Sequence, residues 1–198
     1  MDALEPVKLY FDYKSPFAYL AKDLAYALPD RYAIALRWIP FQLRLKGPGE
    51  RSIYSEWKAR YSYTDARRWA NRRGGFRIMG PRKIYDSTAA LVGGLYAMRE
   101  GFFRPYTDLV FSRFFERTLE IDDPEAVAAA IDELSGSGAQ YLEYAGDEGA
   151  RAFAAAMAES AEDHVFGVPL FIMRGEQFWG QDRLPLLEER LAELGLER

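Results

Sequence analysis

LYFDYKSPFAYL, residues 9–20, reads as a strand that runs straight into a helix, with Ser15 at the junction. Val7, Leu9 and Phe11 alternate with Lys8 and Tyr10, the period of two of a strand. From Ser15 the period changes. Phe17, Leu20, Leu24 and Leu28 recur at helical spacing, and Pro29 predicts the stop. Ser15 is a preferred N-cap, because its oxygen accepts a hydrogen bond from an N–H of the first turn that has no partner in the helix. Pro16 follows at the first helical position, where a missing N–H costs nothing. The same hydroxyl, turned outward, stands at the positive end of the helix dipole, a place that favours an anion.

Working outward, Ala33 to Ile39 predicts a second strand closed by Pro40, so the first 40 residues form a βαβ unit with parallel strands. Gly47-Pro48-Gly49 predicts a loop. Helical segments are expected over 55–73, from Asp86 or Ser87 to Glu100, over 102–117, and from an Asp123-Pro124 cap to Leu134. Two more are expected over 139–145 and 148–161. Strand character returns at Pro169 to Arg174, followed by a Gly175-Glu176 turn and a short return strand, Gln177 to Trp179. A last helix is expected from Arg183 to Leu194. The layout is α/β: βαβ, a helical stretch over 46–163, then ββα.

Composition narrows the chemistry. The 198 residues contain no cysteine, which excludes disulfide exchange and thiolate-bound metal. The single histidine, His164, is read as exposed or packed, and no metal site is expected. The N-terminus has neither a basic start nor an apolar signal core, and the longest apolar runs fall short of a membrane span, so a cytoplasmic protein without membrane contact is expected. The net charge of −4 is segregated. Residues 44–83 carry twelve Lys and Arg against three acids, whereas 116–163 carry two Arg against thirteen acids. Two solvated faces that offset each other explain this pattern, and so does a basic region that draws an anionic small molecule to a cleft.

Three motifs in order carry a resemblance: Ser15-Pro16-Phe17-Ala18-Tyr19-Leu20, Gly167-Val168-Pro169, and Phe178-Trp179-Gly180-Gln181-Asp182-Arg183-Leu184. Together they resemble the 2-hydroxychromene-2-carboxylate isomerases and kappa-class glutathione transferases of the DsbA-like thioredoxin-fold superfamily. The resemblance runs the length of the chain. It implies a thioredoxin-like domain built from 1–45 and 164–198, with 46–163 as a helical insertion, and a cis-proline at Pro169 facing the start of the first helix. It also implies glutathione as cofactor and a homodimer. By matching position, Ser15 would hydrogen-bond the glutathione sulfur. Val168 would pair its backbone with the cysteinyl backbone, Gln181 and Asp182 would hold the γ-glutamyl end, and Lys58 would meet the glycyl carboxylate. The chain departs from the family where an asparagine precedes that lysine: Gly49 and Glu50 stand there. Arg82-Lys83-Ile84-Tyr85 replaces a familiar Asn-Thr pair.

Those roles are physically coherent. A cysteine-type thiol has a pKa of about 8.5. A hydrogen bond to a charged group contributes roughly 1.5–3 kcal/mol, and one pKa unit is about 1.36 kcal/mol. Ser15 plus the helix N-terminus therefore lowers a bound thiol by about one to two units. The resemblance implies reversible addition of that thiolate to an aromatic or bicyclic carboxylate substrate, ring opening, rotation about a carbon–carbon bond, and loss of the thiolate. A transferase of the kappa class would use the same thiolate for conjugation.

Each feature also has a plainer reading. Ser15-Pro16 alone is a common helix start, Asp182 could simply cap the last helix, Lys58 could be a solvated lysine, and Asp12 is favoured as a turn residue. Trp38, Phe41, Trp57, Tyr61, Tyr85 and Trp179 are candidate pocket walls for a flat substrate, although large aromatics are more often core. The basic, aromatic 44–83 region also has the make-up of a nucleic-acid surface; the overall acidity and the lack of a recognised motif argue against a nucleic-acid partner.

Overall fold

Strand β1 (Glu5–Phe11) lies inside a four-stranded sheet ordered β2-β1-β3-β4, with β2 at Ile34–Pro40, β3 at Leu170–Met173 and β4 at Glu176–Trp179. The structure, a computed structural model, describes residues 3–43 and 53–198. The expected Gly47-Pro48-Gly49 loop lies outside the described residues. β1 and β2 run parallel with Leu9 opposite Trp38, and β3 runs antiparallel to β1 with Phe171 opposite Leu9. The parallel pair is joined through α1 (Pro16–Arg31). The β3–β4 hairpin turns at Arg174-Gly175, one residue earlier than Gly175-Glu176, and Glu176 opens β4. Both turn residues have positive φ, the combination whose twist matches that of the flanking strands.

Successive β1 side chains go to opposite faces of the sheet. Val7 and Leu9 pack with Ala21, Ala25 and Leu28 of α1 and with Leu184, Leu187 and Leu191 of α8 (Leu184–Glu193). Lys8 and Tyr10 face the other way, and this face is covered as well. Tyr10 is fully buried in a cluster with Ile39, Leu170, Ile172 and Ala156 of α7 (Glu148–Glu162). The polar-looking alternation of β1 therefore marks a second buried face, on which Lys8 and Tyr10 both bind the Asp163 carboxylate.

Between β2 and β3 the described residues form α2 (Ile53–Arg73), α3 (Thr88–Arg99), α4 (Phe103–Phe115), α5 (Pro124–Ser135), α6 (Gly138–Gly146) and α7. α1 runs two residues past Pro29: the proline forfeits one N–H in the last turn, and the Tyr32 N–H closes the helix on the Leu28 carbonyl. α4 stops at Phe115, two residues before Arg117, which takes a positive φ. Ser87 occupies the cap position of α3 without capping it, while the Asp86 carboxylate accepts the Thr88 N–H at 2.8 Å. Asp123 caps α5 by accepting the Glu125 N–H, with Pro124 in the first turn. Lys83 pairs with Glu120 and Asp122, which joins the basic and acidic regions at one point. No helix among the described residues is long and apolar enough to cross a membrane.

The β1–α1 junction is fastened into the helices by aromatics. The Tyr13 ring meets Phe111 edge-on, and its hydroxyl shares a hydrogen bond with Thr107. Tyr19 stacks on Phe111 and Phe115, nearly parallel to the latter. Such pairs contribute roughly 0.5–1.5 kcal/mol each beyond their buried area, enough to hold a loop in one place.

Candidate active site

Ser15 is the cap its sequence context implies. Its Oγ accepts the Ala18 N–H at 3.1 Å, and its carbonyl accepts the Tyr19 N–H. The hydroxyl hydrogen goes elsewhere: Ser15 Oγ donates to the Val168 carbonyl at 3.0 Å. The Val168-Pro169 peptide is cis, so the start of α1 and the proline of the second motif stand face to face. Pro16 has no N–H, and the Phe17 N–H has no partner among the described residues. The first turn of α1 therefore carries, side by side, the Ser15 hydroxyl and an amide with no partner among the described residues.

The loop below is built by Asp12. Its fully buried carboxylate accepts the Lys14 N–H at 3.0 Å and the Leu43 N–H at 2.7 Å, while its carbonyl accepts the Ser15 N–H. Asp12 is thus the expected turn residue, and it also holds the end of the β2 segment. Lys14, itself buried, donates to the carbonyls of Leu43 and Tyr85 and lies 3.7 Å from Asp12. Burial pushes the Asp12 carboxyl above its ordinary range, with the Lys14 charge and the two amide bonds working against that rise.

Beside Val168 opens a cleft of about 230 Å³, walled by Phe17, Trp69 and Trp179 and carrying Asp65, Gln181, Asp182 and Arg183. The Gly180 N–H donates to the Pro169 carbonyl at 2.9 Å, which ties the third motif to the second. Gly180 has φ 110°, and a Cβ there would lie 2.5 Å from the Asp182 carboxylate. Asp182 caps neither the short 3₁₀ turn it sits in nor α8; it pairs with Arg183 at 2.7 Å and is partly exposed. Gln181 is buried, with its side-chain oxygen bound by Arg73.

The structure thus brings together Val168, Gln181 and Asp182 at the cleft, with Ser15 and Pro169 bonded directly to this group. Ser15 itself is almost wholly covered, at 3% exposure. Lys58 is exposed on α2 and is not part of the cleft wall; it lies two helical turns from Asp65, hence on the same face. Of the six expected pocket aromatics, Trp179 alone lines the cleft. Trp38 packs against Phe11, Tyr26 and Phe103, Phe41 joins the cluster under α7, and Tyr85 packs on Phe114. Trp57 and Tyr61 are exposed on α2. Phe17, Asp65 and Trp69 line the cleft without a motif that marks them as walls. Asp65 and Trp69 stand four residues apart, on one helical stripe, and that spacing is their sequence signal.

A mixed sheet with α1 starting opposite a cis-proline, and a helical stretch between the two halves, defines a thioredoxin-fold protein. The chain belongs to the DsbA-like thioredoxin domain family, which it matches over residues 6–192. It is 28% identical over 197 residues to a 2-hydroxychromene-2-carboxylate isomerase of Pseudomonas putida, covering 95% of each chain. It is equally similar over 195 residues to a protein of that name from Pseudomonas sp. strain C18, covering 94% of this chain and 90% of the other. A solved 2-hydroxychromene-2-carboxylate isomerase matches with a TM-score of 0.77 at 26% identity, over 96% of this chain and 95% of that one. Relatives named as isomerases at this coverage support an enzyme.

Proposed function

We propose that the protein is a glutathione-dependent isomerase of an aromatic or bicyclic carboxylate, of the 2-hydroxychromene-2-carboxylate kind. One observation carries the reading. The Ser15 hydroxyl, on the positive end of α1, is bonded to the residue preceding the cis-proline at the edge of a cleft with amino-acid-binding charges.

The residues present fit glutathione. The Val168 carbonyl has a second lone pair for a peptide N–H, and its amide flanks the same cleft. The Ser15 hydroxyl, were it turned from the carbonyl, and the Phe17 N–H would both be first-turn donors available to an anion at the helix start. Two carboxylates, Asp65 and Asp182, beside one guanidinium, Arg183, suit the zwitterionic head of a γ-glutamyl group. Lys58 stands about 10.5 Å along α2 from Asp65, close to the span of an extended tripeptide, so it supports a role at the glycyl carboxylate.

Bound there, glutathione would supply a soft nucleophile that adds to the conjugated substrate and is released unchanged. Ser15 and Phe17 would hold the sulfur in its charged form. Phe17, Trp69 and Trp179 exclude water and provide flat walls for a ring system. The test is calorimetric titration with glutathione, followed by assay on 2-hydroxychromene-2-carboxylate. Glutathione binding and turnover without glutathione consumption are expected. Stoichiometric loss of the thiol would mark conjugation instead, and absence of binding would remove the reading.

A further inference from the structure

Arg73 closes α2 without facing solvent on all sides. One guanidinium nitrogen donates to the Leu20 carbonyl of α1 at 2.5 Å, the other donates to Gln181 Oε1, and the group lies 5.6 Å from the Trp69 ring centroid. It is thereby bound to α1 and to two walls of the cleft, Trp69 and Gln181. A guanidinium only donates. The Gln181 amide must therefore turn its oxygen to Arg73 and its nitrogen away from it. Gln181 is only 2% exposed, so its amide cannot rotate freely to suit a ligand.

We infer that Arg73 is a positioning residue that fixes the Gln181 amide with its two N–H donors toward the cleft, where they select an α-carboxylate on the ligand. This rests on the glutathione reading and assigns the glutamyl carboxylate to Gln181, leaving the ammonium to Asp65 and Asp182. With Arg183 already paired to Asp182, the amide is a paired set of donors at the cleft that a carboxylate meets without displacing an ion pair.

The test compares calorimetric binding of glutathione and of 4-aminobutyryl-cysteinyl-glycine, which lacks the glutamyl carboxylate alone. The intact protein is expected to prefer glutathione by roughly tenfold to a hundredfold, the range for a hydrogen bond to a charged group. Arg73→Met and Gln181→Glu should both lose that preference while still binding the analogue, and Arg73→Lys should restore part of it. Gln181→Glu keeps an acceptor for Arg73 and presents oxygen where nitrogen stood, so it decides the question should Arg73→Met fail to fold. A variant that keeps the full preference, or an intact protein with none, would overturn the assignment. An intact protein that binds neither peptide overturns the glutathione reading, and this inference with it.

Discussion

Ser15 Oγ donates to the Val168 carbonyl at 3.0 Å, so the hydroxyl that caps α1 is also the link between the helix start and the cis-proline. The two residues are 153 positions apart in the chain, and the bond between them joins the start of α1 to the cleft wall at Val168. Ser15→Ala removes the cap and the donor together. A stability loss of about 1 kcal/mol is expected from the cap, read by chemical denaturation. The thiol pKa of bound glutathione should rise, by at most about one to two units because the helix N-terminus remains, read by ultraviolet titration of the thiolate. An unchanged titration would remove Ser15 from the chemistry.

Gly180 carries backbone that other residues adopt only under strain. With φ 110° and ψ 154°, and the Asp182 carboxylate 2.5 Å from where a Cβ would stand, Gly180→Ala is expected to cost about 1–3 kcal/mol. The same change pushes Asp182 from its place, so glutathione affinity should fall with it. Denaturation and calorimetry on one preparation check both effects, and unaltered affinity would count against Asp182 as a contact.

Lys58 tests the proposed glycyl contact, which lies outside the cleft wall. It is exposed and distant from the reacting position, so Lys58→Met should raise the KM for glutathione about two- to fivefold and leave kcat unchanged, the signature of lost uniform binding. Steady-state kinetics at varied glutathione decides this. A fall in kcat with unchanged KM would place the lysine elsewhere in the mechanism.

Asp163 gives a pH dependence remote from the site. Burial raises its carboxyl, but the Lys8 ammonium and Tyr10 hydroxyl, both at 2.5 Å, outweigh that and hold it below the ordinary 3.8. A carboxyl depressed in the folded state contributes its full stabilisation above its unfolded pKa and loses it as pH falls through the folded value. Asp163→Asn should cost about 1 kcal/mol at neutral pH, and the gap to the unaltered protein should close below about pH 4. Denaturation curves at several pH values check this; a constant gap would show that the pair is not what the carboxylate contributes.

Much of the site's frame is legible in local sequence. A serine before a proline at a change from period two to period 3.6 places the strand–helix junction within a residue, because caps and periodicity act over a few neighbours. The same locality explains the small misses. Pro29 does not end α1, since a proline in the last turn forfeits one bond and the next N–H closes the helix. The alternation of Lys8 and Tyr10 with apolar residues resembles a half-exposed strand, but α7 lies over that face.

The sequence by itself determined the layout of strands and helices, the capped start of α1 and the three motifs that signal the family, all of them short-range or pattern-borne. The tertiary structure decided which side chains meet. It puts Trp69 and Phe17 on the cleft and Trp38, Phe41 and Tyr85 away from it, although all five have the same apolar drive to be covered. It also pairs Arg73 with Gln181 across 108 residues, and so chooses the face of an amide that composition leaves free. Burial has no direction and hydrogen bonds do; only the folded chain supplies the partner that fixes one.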